Sequence, residues 1–358
     1  MENRREEMQK MMKFQGLGVV KAAAWATLLV CMTLIFKTLG FLFVPFFISL
    51  LLCYALGIPM EILQRLKVPS SLRIIIVVFF ILSVIYLIGS MVSLNIKEFY
   101  QQLPEFEKKF WDYAAYLLKW FNISPDQARE MYDSVIKSFK QVDLQPIGSM
   151  VQRLSGSFFS FFGNMFWVIL IMVFMLAERE SITQRLVEGL GAKNAKPTLE
   201  VIGRINKAVQ SYLGLKTLIS LLTGVLVTIA LALFDVPFAL LWGVLAFLLN
   251  FIPNIGSLIA VLPPVAITLF QFGFGKAALV ALILVLIQMV VGNILEPKVM
   301  GRGLNLSPLV VLLSLVFWGW MWGIAGMLLS VPLTAALKIA FEQLDSTRAV
   351  AILMSAKK

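Results

Sequence analysis

Long apolar stretches alternate with short polar segments along the first two thirds of the chain. A helix needs about 20 apolar residues to cross a hydrocarbon core about 30 Å thick, and several stretches reach that length. They are residues 17–36, 39–57, 74–94, 156–177 and 211–234. A transmembrane β-barrel would instead give short segments of alternating character. The pattern therefore predicts an all-α integral membrane protein.

Two polar regions divide these stretches. Segment 95–153 mixes charges with apolar residues at helical spacing, as at Phe106 and Phe110, and three preceding spans place it outside. We predict a small extracytoplasmic helical insert there, acting either as a solvated spacer or as a binding module. Segment 178–210 predicts a cytoplasmic amphipathic linker, lying along the inner interface or forming a hinge-side helix.

After the fifth span the apolar runs are shorter and interrupted. From Pro237, and again from Pro308, about a dozen apolar residues precede a polar or glycine-rich break. In each case a short apolar run closed by a proline follows, so the two units repeat at an offset of about 71 residues. One span, 276–293, separates them, which predicts entry from opposite membrane faces. The units are either re-entrant hairpins or proline-kinked continuous helices.

The predicted organisation follows from these breaks and comprises about eight membrane segments. Its parts are membrane helices 1–3 (1–94), the insert (95–153), a fourth membrane helix (154–177), the linker (178–210), a C-terminal transport core with an inverted repeat (211–340, repeats 211–271 and 276–338) and a cytoplasmic tail (341–358).

Composition and charge agree with a lipid environment. Hydrophobic residues make up 59% of the chain and the mean hydropathy is +0.88. Both values are too high for a protein whose surface faces water. Of the net charge of +11, the termini and the predicted cytoplasmic loops carry +10. This asymmetry predicts a multi-pass protein with both termini in the cytoplasm. The basic residues therefore indicate contact with the lipid bilayer, and no nucleic-acid partner is predicted.

The residue inventory excludes several kinds of chemistry. The chain contains no histidine, and its two cysteines, Cys31 and Cys53, each lie inside a predicted span. No metal site, disulfide framework or cofactor is therefore predicted. The sequence contains no GxSxG, HExxH or nucleotide-binding motif, so we do not predict an enzyme.

Polar residues concentrate where the C-terminal helices break. Non-helical backbone at membrane depth is tolerated only against protein or a water-filled cavity, so such breaks indicate a solute site. The predicted substrate- or ion-binding residues are Asn250, Pro253, Asn254, Gly256, Ser257, Gln288, Asn293 and Glu296. Residues predicted to shape the turns are Pro297, Lys298, Gly301, Arg302, Pro263, Gly326 and Pro332.

Glu296 is the only carboxylate between Asp235 and Glu342. An ionisable group at the end of a membrane span is a functional candidate. It either couples transport to an ion or forms a local ion pair with Lys298 or Arg302.

Two runs, FLLNFIPNIGSLIAVLPP and GNILEPKVMGRGLNLSPLVVLLSLVFWGWMWGIAGMLLSVPL, resemble the autoinducer-2 exporter family of bacterial permease-like proteins. The resemblance implies an inner-membrane protein with about eight membrane segments and a homo-oligomer such as a pentamer. The family's break maps onto Pro253, Asn254 and Gly256, and its Glu-Pro turn onto Glu296, Pro297, Lys298 and Gly301.

The sequence and the resemblance together predict three alternative functions for the protein. The first is ion-gradient-coupled export of a small polar solute, in particular an autoinducer-2-like signal, as the resemblance implies. The second, also implied by the family, is exchange of the monovalent cations sodium or lithium for protons, with Glu296 as the titrating group. The third is a non-transporting scaffold or regulator whose insert binds an external partner.

Overall fold

The computed structural model describes residues 23–24, 26–28, 30–120, 145–253, 255–300 and 304–356. Nearly all of these residues lie in helices. Within the described residues, pairing in the β-conformation is limited to one isolated bridge between Leu306 and Ser355. The predicted all-α class is confirmed.

The described residues up to 120 form four helices. Helix α1 (Ala26–Thr38) meets α2 (Gly40–Ala55) at a bend of 81°. A short α3 (Gly57–Arg65) leads to α4 (Ser70–Trp120), whose apolar part is Ser70–Met91. Because α4 is one helix of 51 residues, about 75 Å long, the third span continues without a break into the region predicted as the insert. Residues 121–144 of that region lie outside the described residues.

Helix α5 (Gln145–Leu233) is one helical run interrupted at Gly191, whose φ of 74° and ψ of 149° are not helical. Its first part contains the apolar segment Met165–Glu178, and its second part is Ala195–Leu233. The first part packs against α2, α3 and α4 in a core that includes the fully buried Met172. The second part joins the predicted amphipathic linker and the fifth span in a single helix.

The C-terminal third contains shorter elements. They are α6 (Ala239–Leu249), α7 (Ile255–Phe272), α8 (Phe274–Met289), a π-helical segment (Val290–Leu295), α9 (Glu296–Met300), α10 (Pro308–Glu342) and α11 (Arg348–Met354). Helices α5 to α8 share a core in which Leu231 and Leu284 are almost completely buried.

Helix α10 is not straight. Its backbone leaves helical geometry at Trp322 (φ −132°, ψ 18°) and Gly323 (φ 62°, ψ −140°). The indole Nε1–H of Trp318 donates to the hydroxyl of Thr334 at 3.1 Å, although the two residues are 16 positions apart. A straight helix would separate them by about 24 Å, so the chain must fold back at the break.

The two broken units share one packing detail. A Cβ added to Gly256 would overlap the carbonyl oxygen of Leu249 and lie 3.2 Å from the Cβ of Ile252. A Cβ added to Gly326 would overlap the carbonyl oxygen of Trp318 and lie 3.2 Å from the Cβ of Trp322. In both units a glycine thus lets the second arm press against the end of the first. The pair α6–α7 and the folded α10 are therefore both broken helical hairpins, as predicted.

Five described helices are long and apolar enough to cross a membrane, and six if the bent α1–α2 pair counts as one span. The first hairpin's α6 has only 11 residues, about 16 Å, which is too short to cross alone. This length favours re-entrant hairpins over kinked continuous spans. The total of eight membrane segments stays a prediction.

Candidate functional site

A buried ion pair lies where the second part of α5 meets α9. Lys216 Nζ is 2.6 Å from Glu296 Oε1. The Lys216 side chain is 3% exposed and that of Glu296 is 23% exposed. A buried ammonium group requires a partner of opposite charge, and the carboxylate of Glu296 supplies it.

A cavity of about 430 Å³ adjoins this ion pair. Its polar lining residues are Lys216, Asn250, Ser257, Gln288, Asn293 and Glu296, and its apolar or backbone wall includes Ile252, Pro253, Leu258, Val261, Val285, Met289 and Gly292. We call this space the first cavity. Its volume falls in the range of small-molecule sites, and the few polar groups among apolar walls are typical of such sites.

One face of α5 supplies the wall opposite the first hairpin. Lys216 and Ser220 lie one turn apart, and both are buried. Asn250, at the end of α6, donates from Nδ2 to Ser220 Oγ at 3.0 Å. This hydrogen bond fixes the tip of the first hairpin against α5 and holds the polar face of the hairpin toward the cavity.

The π-helical segment shapes the third wall. It occupies Val290–Leu295, immediately before Glu296 and Pro297. Proline has no N–H and its ring displaces the carbonyl four residues earlier, here that of Asn293. Wide turns of this kind occur at functional sites, because they redirect side chains and loosen backbone acceptors. The segment brings Gly292, Asn293 and Glu296 to the same cavity.

Gln288 presents an unpaired donor. Its Nε2 atom is buried and has no hydrogen-bond partner within the described part of the chain. A buried donor left without a partner destabilises the protein, by about 1–3 kcal/mol. Because Gln288 lines the first cavity, an acceptor on a bound solute would satisfy this amide.

Six of the eight predicted binding residues line the first cavity. They are Asn250, Pro253, Ser257, Gln288, Asn293 and Glu296. Gly256 is buried in the hairpin turn behind it, and Asn254 lies outside the described residues. The binding role of all eight stays a prediction.

The predicted turn residues are dispersed. Pro297 and Lys298 lie exposed in α9, while Gly301 and Arg302 lie outside the described residues. The other three lie in the second arms of the hairpins: Pro263, Gly326 and Pro332. Among described residues Glu296 pairs with Lys216 rather than with its neighbour Lys298, so the ion pair is tertiary and not local.

Sequence reasoning missed Lys216, because it counted this residue among the charges of a cytoplasmic loop. A usable signal exists in the chain. Lys216 is the only charged residue between Lys207 and Asp235, and it is spaced four residues from Tyr212 and from Ser220. That spacing puts the three polar side chains on one face of an otherwise apolar helix, which indicates a buried polar partner.

Helices with lipid-compatible surfaces, two broken hairpins and a cavity with several polar groups beside the first hairpin define a multi-pass membrane transporter. The comparisons with known proteins agree. A family model described as "AI-2E family transporter" matches residues 25–346. The chain belongs to the AI-2E transporter family, which confirms the resemblance noted in the sequence.

Three relatives of this chain are named as transport proteins. AI-2 transport protein TqsA of Escherichia coli (strain K12) is 37% identical over 320 residues, covering 87% of this chain and 89% of that protein. A protein of Haemophilus influenzae, provisionally named as a transport protein, is 37% identical over 321 residues with the same coverage of each chain. The provisionally named transport protein YhhT of E. coli K12 is 36% identical over 288 residues, and the match covers 80% of this chain and 79% of YhhT.

Proposed function

We propose that this transporter exports a small polar solute, an autoinducer-2-like signal, across the bacterial inner membrane. The observation that carries the proposal is the first cavity, where amide and hydroxyl groups surround a space of about 430 Å³. Its two charges, Lys216 and Glu296, neutralise each other, so the site suits an uncharged solute with several hydrogen-bonding groups. The name of the related TqsA supports the choice of autoinducer-2.

The proposed transport cycle moves one hairpin bundle relative to the other and is driven by an ion gradient. Both termini would lie in the cytoplasm, with the first hairpin entering from outside and the second from inside. Cysteines introduced at Gly275 and Gln343, which are both exposed, would then react with a membrane-impermeant thiol reagent from opposite faces. Labelling of both from one face would contradict this arrangement.

A steric block tests whether solute passes through the first cavity. A Cβ added to Gly292 meets no atom within 4 Å, and Gly292 lines the cavity. The larger side chain of Gly292→Leu would therefore enter the cavity without disturbing the helix. We expect inside-out vesicles carrying this variant to lose most autoinducer-2 accumulation.

Gly275→Leu is the matched control. Gly275 lies in the first turn of α8, also has no atom within 4 Å of an added Cβ, and is not a lining residue of the cavity. This variant should transport like the wild type. Equal transport by the two variants would refute the assignment of the cavity as the solute site.

Exchange of sodium or lithium for protons is a second candidate. The observation in its favour is the position of Glu296, the only carboxylate among the described residues that line the first cavity. Sodium-dependent proton flux should then occur in wild-type proteoliposomes and disappear in Glu296→Gln. Unchanged flux in the variant would exclude this version of the mechanism.

The homo-oligomer implied by the resemblance stays a prediction, tested by the mass of the purified complex.

A further inference from the structure

A second cavity of about 250 Å³ lies beside the first. It is bounded by α5 at Ser211 and Tyr212, by the loop at Asn305, and by Val311 and Val331 of the second hairpin. The two cavities share two lining residues, Pro253 and Glu296. The second hairpin thus borders a cavity that shares part of its wall with the cavity bordered by the first hairpin.

The ion pair lies at the junction of the two cavities. Glu296 lines both of them, whereas its partner Lys216 lines only the first. Their contact of 2.6 Å holds the carboxylate against α5. Since Lys216 belongs to α5 and Glu296 to the start of α9, a movement that separates these two helices must stretch or break this contact.

The Lys216 side chain is only 3% exposed, so its ammonium group depends mainly on Glu296 for stabilisation. The paired arrangement is therefore strongly preferred over the separated one. A solute that offers hydrogen bonds to either group would lower this preference and shift the population toward the separated arrangement.

We propose that the second cavity is a separate antechamber site for an uncharged, hydroxyl-bearing solute, and that the Lys216–Glu296 pair is the gate between it and the first cavity. The hydroxyls of Ser211 and Tyr212 and the amide of Asn305 supply polar groups for the solute. The identity of the solute rests on the proposed function, whereas the gate does not depend on it.

Thiol accessibility tests the gate without any solute. In a background with Cys31 and Cys53 replaced by serine, Ser211→Cys reports on the second cavity and Ser257→Cys on the first. Both positions are serine in the native chain, so cysteine is a conservative replacement at each. Ser211 is exposed and Ser257 is partly buried, so the test compares the Ser257→Cys rate between backgrounds. The probe is a membrane-impermeant methanethiosulfonate applied to one face of oriented proteoliposomes.

We compare the labelling rates of the two cysteines from the membrane face at which Ser211→Cys reacts. With the pair intact, Ser257→Cys should react from that face at least about tenfold more slowly than Ser211→Cys. In Lys216→Met/Glu296→Gln, the rate at Ser257→Cys should rise about tenfold, because the open population controls access. The rate at Ser211→Cys should not change.

Two further variants keep the test decisive if the double variant does not fold. Glu296→Asp shortens the carboxylate by one methylene and should raise the Ser257→Cys rate by about threefold, whereas Lys216→Arg keeps the charge pair and should leave the rate low. Equal labelling of Ser257→Cys in all backgrounds would overturn the gate. Failure of wild-type vesicles to transport autoinducer-2, with labelling as expected, would refute only the proposed solute.

Discussion

The two hairpin glycines allow a direct test of the internal repeat. Neither Gly256 nor Gly326 has a positive φ, so an alanine at either position would keep a permitted backbone. The added methyl group would instead overlap a carbonyl oxygen of the first arm, that of Leu249 in one hairpin and of Trp318 in the other. The perturbation is therefore purely steric, and it is the same in both units.

The magnitude follows from the atoms involved. A backbone carbonyl at the end of a helix cannot rotate away, so the arms must separate by about an ångström or more. Overpacking of this kind destabilises proteins by about 1–3 kcal/mol. At Gly275, where an added Cβ meets nothing within 4 Å, alanine should instead stabilise the helix by about 0.5–1 kcal/mol.

Thermal unfolding of the purified protein in detergent, followed by the fluorescence of its 8 tryptophans, measures these differences. We expect Gly256→Ala and Gly326→Ala to lower the Tm by similar amounts, and Gly275→Ala to leave it unchanged or raise it. If Gly256→Ala and Gly326→Ala both unfold at the temperature of Gly275→Ala, the close approach of the arms is wrong. A large effect at one glycine only would refute the equivalence of the hairpins.

Three further substitutions test contacts of the site and of the second hairpin. Lys216→Met should destabilise the protein by about 1–2 kcal/mol in a thermal unfolding assay, because it removes the charged partner that lies 2.6 Å from the partly buried Glu296 carboxylate. Trp322→Phe removes the indole N–H that donates to the Phe36 carbonyl at 3.0 Å, and should lower stability by about 1 kcal/mol in the same assay. Asn250→Ala should raise the KM for solute transport in vesicles, because it loosens the hairpin tip from α5.

Each of these three predictions has a control variant or a result that would contradict it. Lys216→Met/Glu296→Gln should recover most of the stability lost in Lys216→Met, since two neutral side chains leave no unpaired charge. No recovery would indicate that packing, not charge, causes the loss. A Trp322→Phe protein as stable as the wild type would refute the contribution of the Phe36 contact. An unchanged KM for Asn250→Ala would refute a positioning role for that amide.

Much of this architecture is predictable from local features of the chain. Apolar run length, about 20 residues for a crossing helix, predicts the spans. Prolines and glycines within apolar runs predict the breaks near Pro253 and Gly326, since these residues act on their own turn of the backbone. The concentration of amides and hydroxyls at the breaks, together with Pro253 and Glu296, picks out six residues that line the first cavity, because the hairpin turn and the π-helical segment are themselves local.

Other features depend on which helices face each other. The fold-back of α10 is evident from a hydrogen bond between residues 16 positions apart. Near the bend between α1 and α2, the Phe36 carbonyl accepts a hydrogen bond from Trp322, which is 286 residues further along the chain. The sequence spacing around each of these residues is compatible with several neighbours, so no local pattern selects the one observed.

The sequence by itself determined an all-α membrane protein with two interrupted units and a lone carboxylate, Glu296, between them. Only the tertiary structure decided that this carboxylate pairs with Lys216, 80 residues earlier, and not with the adjacent Lys298. The reason is physical. Lys298 is exposed and keeps its hydration, whereas Lys216 is buried in α5 and depends on the packing of α9 to supply its counter-charge.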